Sequence, residues 1–165
     1  MRLLECEAKE IYARYGIPVP KGVRVKAGEK IPDLSGIGPE LVVKAQVEVG
    51  GRGKAGGIVM AAPADAARVA DELFRKQIRG VPVREILIEE RLPIRHEHYL
   101  SILVDRSTRQ PVVLFAEAGG VDIELAAKET PEAVRRVTVS PLLTDIPPFA
   151  LRDLLGARVK EFGPV

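Results

Sequence analysis

The residues best suited to chemistry are a glycine-rich run, Gly50-Gly51-Arg52-Gly53-Lys54-Ala55-Gly56-Gly57, and a lysine, Lys44, a few positions before it. Glycines let backbone N–H groups come close to a phosphate, and Arg52 and Lys54 add positive charge. Lys44 lies inside the apolar run Leu41-Val42-Val43-Lys44-Ala45-Gln46-Val47, where an ammonium is costly to bury without an anion beside it. A phosphate held by the following loop would supply that anion. The alternative is an edge-strand lysine that carries its charge to water along its stem, next to a mobile glycine turn.

Two better-known phosphate motifs do not fit. Gly51-x-Gly53-x-x-Gly56 matches the dinucleotide fingerprint by letter, but that fingerprint needs a helix directly after the glycines, and Ile58-Val59-Met60-Ala61 reads as a strand. The Walker loop fails because Gly53-Lys54 is followed by Ala55 and position 48 is Glu48. Farther on, Glu89 and Glu97 flank a break at Leu92-Pro93. A strand end with a short connector can offer backbone groups to an adenine edge, and a later carboxylate can accept from ribose hydroxyls. Taken singly, each is better read as a solvated surface glutamate.

Other chemistries have less support. His96 and His98 bracket Glu97, but two histidines with no cysteine nearby do not make a closed tetrahedral metal set. Cys6 falls in a predicted surface helix without a neighbouring base, and Ser101 and Ser107 lack a nucleophile-elbow context.

The elements that must position these residues follow from periodicity. Leu3, Leu4, Ile11, Tyr12 and Tyr15 recur at helical spacing before Gly16 and Pro18, which predicts an amphipathic first helix. Residues 23–38 mix short apolar stretches with Gly, Pro and Asp and give no single element. Strands at 41–47 and 58–61 flank the glycine loop, which predicts antiparallel neighbours. A helix opens at Pro63-Ala64-Asp65 and runs to Arg79-Gly80, and Ile86-Leu87-Ile88-Glu89 is a short strand. Tyr99 to Asp105 and Pro111 to Glu117 pair around Arg106-Ser107-Thr108-Arg109, and helices are expected at 130–136 and 149–157. The class is α+β in two lobes, hinged near Leu92-Pro93-Ile94.

Composition narrows the function further. The net charge is +2 and aromatics make up 4% of 165 residues, so neither a basic stripe nor stacking platforms suggest a nucleic-acid partner. One cysteine excludes an internal disulfide framework, and no apolar run reaches the roughly 20 residues of a membrane span. A cytoplasmic location is the default expectation. The absence of Asn fits a thermophile, where deamidation is selected against.

Taken in order, these motifs resemble the β subunit of succinyl-CoA synthetase. The resemblance runs through Leu4-Glu5-Cys6-Glu7-Ala8-Lys9-Glu10, Tyr15-Gly16-Ile17-Pro18-Val19-Pro20, Val42-Val43-Lys44-Ala45-Gln46-Val47, the glycine loop, Ile86-Leu87-Ile88-Glu89, Glu97-His98-Tyr99-Leu100, Val104-Asp105-Arg106 and Gly119-Gly120-Val121-Asp122-Ile123-Glu124. It implies an ATP-grasp fold of two α+β lobes, the small one at 19–93 and the second, incomplete, at 1–18 plus 94–165. It implies ATP or GTP as substrate, with Lys44, Gly51, Arg52 and Gly53 at the phosphates, Glu89 and Leu92 at the adenine edge and Glu97 at the ribose. The reaction it implies joins succinate to CoA through a phosphohistidine on a partner α subunit.

The family's magnesium ligands, an Asn and an Asp, are expected beyond residue 165, so the chain reads as a truncated subunit that turns over nothing by itself. Ala118 also stands where the family usually has Glu. Two other readings stay open: an ADP-forming ligase for acetate or malate, and a nucleotide-binding module without catalysis.

Overall fold

The computed structural model describes residues 2–120, 128, 130–143 and 145–161. The Val121-Asp122-Ile123-Glu124 part of the last motif lies outside them. By its contacts the chain divides into two compact units, residues 1–93 and 94–165.

The first unit is a four-stranded antiparallel sheet in the order β1 (Gly22–Lys26), β6 (Glu85–Glu90), β2 (Leu41–Ala45), β3 (Ile58–Ala61). Period-two alternation gives it two different faces. Val25, Leu41, Val43, Ala45, Ile86 and Ile88 point to one side and pack with Ala66, Val69, Ala70 and Leu73 of α2 (Ala66–Phe74). The other face carries Arg24, Val42, Lys44, Leu87 and Glu89, because Lys44 pairs with Leu87 and Val42 with Glu89 across the ladder. Gly22 stands opposite Glu89, where a Cβ would come within 2.8 Å of the Ile88 carbonyl. Only glycine fits there.

That second face is covered by α1 (Glu5–Arg14), which begins with the Leu4 N–H donating to Glu7 at 2.8 Å and stops at Gly16 with φ +75°. From α1, Glu5, Cys6 and Lys9 reach Lys44, Gln46, Arg52 and Glu89 of the first sheet and the loop after β2. The helix docks on a polar face, contrary to its apolar spacing. Cys6 is its buried residue, and Ile11, Tyr12 and Tyr15 are exposed. Cys6 is therefore not the surface residue expected from sequence.

Three further segments differ from expectation. Residues 22–26 form β1, with Val25 as the one fully buried residue of its pattern. The helix after Pro63 ends at Phe74, and β4 (Gln77–Ile78) and β5 (Val81–Pro82) make a small hairpin where the helix was extended to Gly80. A 3-10 turn at Pro131–Ala133 leads into a strand, β9 (Val134–Thr138), where a helix was expected. Alternating β-branched and long residues suit an edge strand as well as a helix, and pairing with the strand at Gln110–Ala116 decides between them.

The second unit is the sheet β7 (Tyr99–Asp105), β8 (Gln110–Ala116), β9, with the expected hairpin between β7 and β8. Helix α3 (Pro148–Leu155) packs Leu154 on Val113 and Phe115. Its end is held by Arg135, whose guanidinium donates to the carbonyl oxygens of Leu154 and Leu155 at 3.4 and 2.6 Å. Among the described residues no helix is long and apolar enough to cross a membrane.

Candidate functional site

Five charged side chains meet on the α1 face of the first sheet. Lys44 reaches up from β2 and Glu89 from β6, and the two form an ion pair. One turn apart on α1, Glu5 and Lys9 pair at 2.9 Å, and Lys9 also pairs with Glu89. Lys44 Nζ donates to Glu5 Oε1 at 3.1 Å. Arg52, at the start of the glycine loop, donates through Nη2 to Glu5 Oε2 at 2.6 Å and through Nη1 to the Ala45 carbonyl at 2.9 Å. Gln46 ties the layers together by accepting from the Cys6 N–H at 3.0 Å and donating to the Lys44 carbonyl at 3.1 Å.

Burial sets the energetics of this group. The Glu89 side chain is only 3% exposed, and the two lysines supply the compensation that a buried carboxylate requires. Burial raises the Glu5 carboxyl, but the hydrogen bonds from Lys9 and Arg52 and the charge of Lys44 outweigh it and hold the group at about 2. Burial depresses the Lys44 ammonium, and its bonds to Glu89 and Glu5 more than restore it, leaving it above its ordinary value. Burial also pushes the Cys6 thiol up, against the opposing charge of Arg24, so Cys6 stays protonated and unreactive. Three cations against two carboxylates leave the cluster with one excess positive charge.

The anion that Lys44 requires thus comes in this structure from Glu5 and Glu89. Sequence reasoning missed Glu5 and Lys9 as members. Their spacing of four on one helix was the available signal, but their partners lie 39 and 80 residues away.

The loop above the cluster is partly closed on itself. The N–H groups of Ala55, Gly56 and Gly57 donate to the carbonyls of Gly51, Gly53 and Arg52 at 3.2, 3.1 and 2.8 Å. The stretch from which N–H groups can reach an anion is therefore residues 50–54. An open cavity of about 620 Å³ runs beside it, lined by Glu5, Glu48, Gly50, Gly51, Arg52 and Ile58 among others. Lys44, Arg52 and Glu89 are brought together, with Gly51 and Gly53 flanking Arg52. Leu92 follows β6 and is 46% exposed. Glu97 lies in the second unit, where its carbonyl accepts from the Gly119 N–H at 2.8 Å and its carboxylate lies over Gly120.

An antiparallel sheet with a glycine loop between β2 and β3, one helix on each face and cations beneath the loop defines a class. A family model for the ATP-grasp domain matches residues 2–158, and the chain belongs to that family. The resemblance seen in the sequence is upheld by curated relatives. The chain is 46% identical over 135 residues to a succinate–CoA ligase (ADP-forming) β subunit of Methanocaldococcus jannaschii, over 81% of this chain and 37% of the relative. It is 42% identical over 178 residues to the corresponding subunit of Aquifex aeolicus, over 100% and 46%. It is 39% identical to a GDP-forming β subunit of Thermus thermophilus, over 94% and 41%. The chain spans less than half the length of these relatives.

Among solved structures, ATP citrate lyase of Methanothrix soehngenii matches with a TM-score of 0.66 at 22% identity, over 88% of this chain and 38% of that one. The dinucleotide-forming acetyl-coenzyme A synthetase 1 of Ca. Korarchaeum cryptofilum matches with 0.60 at 24%, over 86% and 61%. These two establish the α+β ATP-grasp fold and nothing further.

Proposed function

We propose that this chain is the nucleotide-binding part of a succinate–CoA ligase β subunit, acting on succinate, CoA and ATP or GTP to give succinyl-CoA, ADP or GDP, and phosphate. What carries the reading is the pair Lys44 and Arg52 beneath a glycine loop, in a cluster with one positive charge to spare. Phosphoryl transfer needs little covalent chemistry from the protein beyond positioning and charge neutralisation. Lys44 and Arg52 neutralise phosphate oxygens, and the N–H groups of residues 50–54, with Gly51 and Gly53, cradle them. To do so the two cations exchange part of their bonding from Glu5 and Glu89 to the phosphates. By resemblance, Glu89 and Leu92 meet the base and Glu97 accepts from the ribose hydroxyls.

The partner in this reading is an α subunit that carries the phosphohistidine and binds CoA, and the assembly is cytoplasmic. Magnesium accompanies the nucleotide; among the described residues no three His, Cys, Asp or Glu side chains come together to hold a metal ion. The test is calorimetric titration of ATP and GTP, with magnesium, into the natural protein and into a Lys44→Ala, Glu97→Ala variant whose fold is checked by circular dichroism. Binding is expected only in the unmodified protein. Equal heats from the two would remove both residues from the site, and turnover with acetate or malate in place of succinate would correct the substrate.

A further inference from the structure

Arg79 lies at the tip of the β4–β5 hairpin, in a two-residue turn with Gly80 where both residues have positive φ, +50° and +81°. Turns of this kind favour Asn or Gly at the first position, and an arginine there carries backbone strain. The strained residue is aimed at the glycine loop. A Cβ added to Gly51, itself at φ +71°, would lie 2.6 Å from Arg79 Nη2 and 3.1 Å from Cζ. The guanidinium therefore packs directly on the Gly51 backbone, at the end of the loop whose N–H groups are not consumed by loop carbonyls. Lys76, just before β4, approaches the far side, 4.0 Å from where a Gly56 Cβ would be.

The contrast with Arg52 gives this placement its meaning. Arg52 is committed to Glu5 and to the Ala45 carbonyl. Arg79 has no carboxylate or carbonyl partner among the described residues, and it is exposed. A planar guanidinium with its donors free, resting on glycine backbone beside a cluster of excess positive charge, is arranged to grip phosphate oxygens. Arg109, in the β7–β8 turn, also has positive φ, so it is the seat of the Arg79 guanidinium on Gly51 that singles Arg79 out.

We infer that Arg79 is a further phosphate-binding residue, which clamps the terminal phosphates of the nucleoside triphosphate from the hairpin side of the glycine loop. The inference rests on the nucleotide reading of that loop. The hairpin supplies to the loop a cation that needs no release from a carboxylate before it binds.

The experiment compares the natural full-length protein with its Arg79→Asn and Arg79→Lys variants. Asn tolerates positive φ, so the turn is kept while the charge is removed. Each protein is titrated with ATP or GTP, whichever the unmodified protein binds more tightly, and with the matching monophosphate, at two salt concentrations. The expected result is about tenfold weaker triphosphate binding in Arg79→Asn, the loss of one charge-assisted contact. Monophosphate affinity is expected to be unchanged, the salt dependence shallower, and Arg79→Lys intermediate. Triphosphate affinity unaltered in Arg79→Asn overturns the inference and leaves the loop reading intact. Equal losses for triphosphate and monophosphate overturn it too, since they would signal a general effect on the loop. If the unmodified protein binds neither triphosphate, the loop reading fails and takes this inference with it.

Discussion

The two units manage charge in opposite ways. In the first, fifteen buried apolar residues form the described core, and a second, polar layer under α1 holds Glu5, Lys9, Lys44, Arg52 and Glu89 largely out of water. In the second, the core cluster among the described residues is Val113, Phe115 and Leu154, and the ion pairs Asp105–Arg136 and Glu117–Arg135 lie nearer the surface. Surface pairs contribute little because water screens them and ordering two long side chains costs entropy. Buried pairs cost desolvation, so they persist only where geometry compensates every charge. A buried network one positive charge out of balance is therefore better suited to receiving an anion than to stabilising the fold. Both units have ion pairs, and the difference lies in how far their cations reach water: Lys9, Lys44 and Arg52 are each 20% exposed, against 33% for Arg135 and 54% for Arg136.

The most damaging way to break that comparison is Glu89→Ala. It strips two lysines of a shared, almost fully buried carboxylate and is expected to cost about 3 kcal/mol in urea unfolding. A loss too small to measure would mean that the polar layer is wet and loosely held. Leu154→Ala comes next, at about 3 kcal/mol or a little less. It empties the centre of the small core, so hydrogen exchange should quicken in β8 and β9 while β2 and β6 keep their protection. Equal loss of protection in both sheets would show that the two units unfold as one.

Much of the first unit is legible in the sequence because its signals are local. The run 41–45, the glycine loop and the run 86–89 are apolar or glycine-rich over adjacent residues, and Lys44 stands out as a charge within an apolar strand. What was missed depends on distance. Gly22–Lys26 becomes a strand only because β6 lies beside it, and Val134–Thr138 is a strand rather than a helix because β8 offers a free edge. The β4–β5 hairpin is two residues on each side and leaves almost no periodic trace. Glu5 and Lys9 look like an ordinary solvated helix pair until α1 is laid on the sheet. The apolar spacing of that helix pointed to a different buried face from the one that docks.

Glu5→Gln probes the network by pH. Its folded carboxyl is held at about 2 against an ordinary 4.5, so it binds fewer protons folded than unfolded. Its stabilisation is therefore present above pH 4.5 and lost as pH falls towards 2, with a total of about 2 kcal/mol because solvent still reaches part of the group. The gap between wild type and Glu5→Gln in denaturant unfolding should be widest near neutrality and close in acid. A gap independent of pH would trace the effect to packing of the side chain rather than to its charge.

The finest test sets Glu5 against Asp105, because both are held at about 2 for different reasons. For Asp105 the causes are hydrogen bonds from the Ser107 hydroxyl and backbone N–H and from Arg136, whose guanidinium side chain is 54% exposed. Its contribution has the same sign, present above its ordinary 3.8 and lost towards 2, but water shares the work of stabilising the charge. Asp105→Asn should shift the unfolding midpoint less than Glu5→Gln, and the shift should shrink at salt of about 0.5 M, where the screening length falls to a few ångströms. The Glu5→Gln effect should survive that salt, because its partners exclude the ions that would screen it. If the two variants respond alike to salt, burial does not distinguish the two units, and the polar layer under α1 loses its claim to be a prepared anion site.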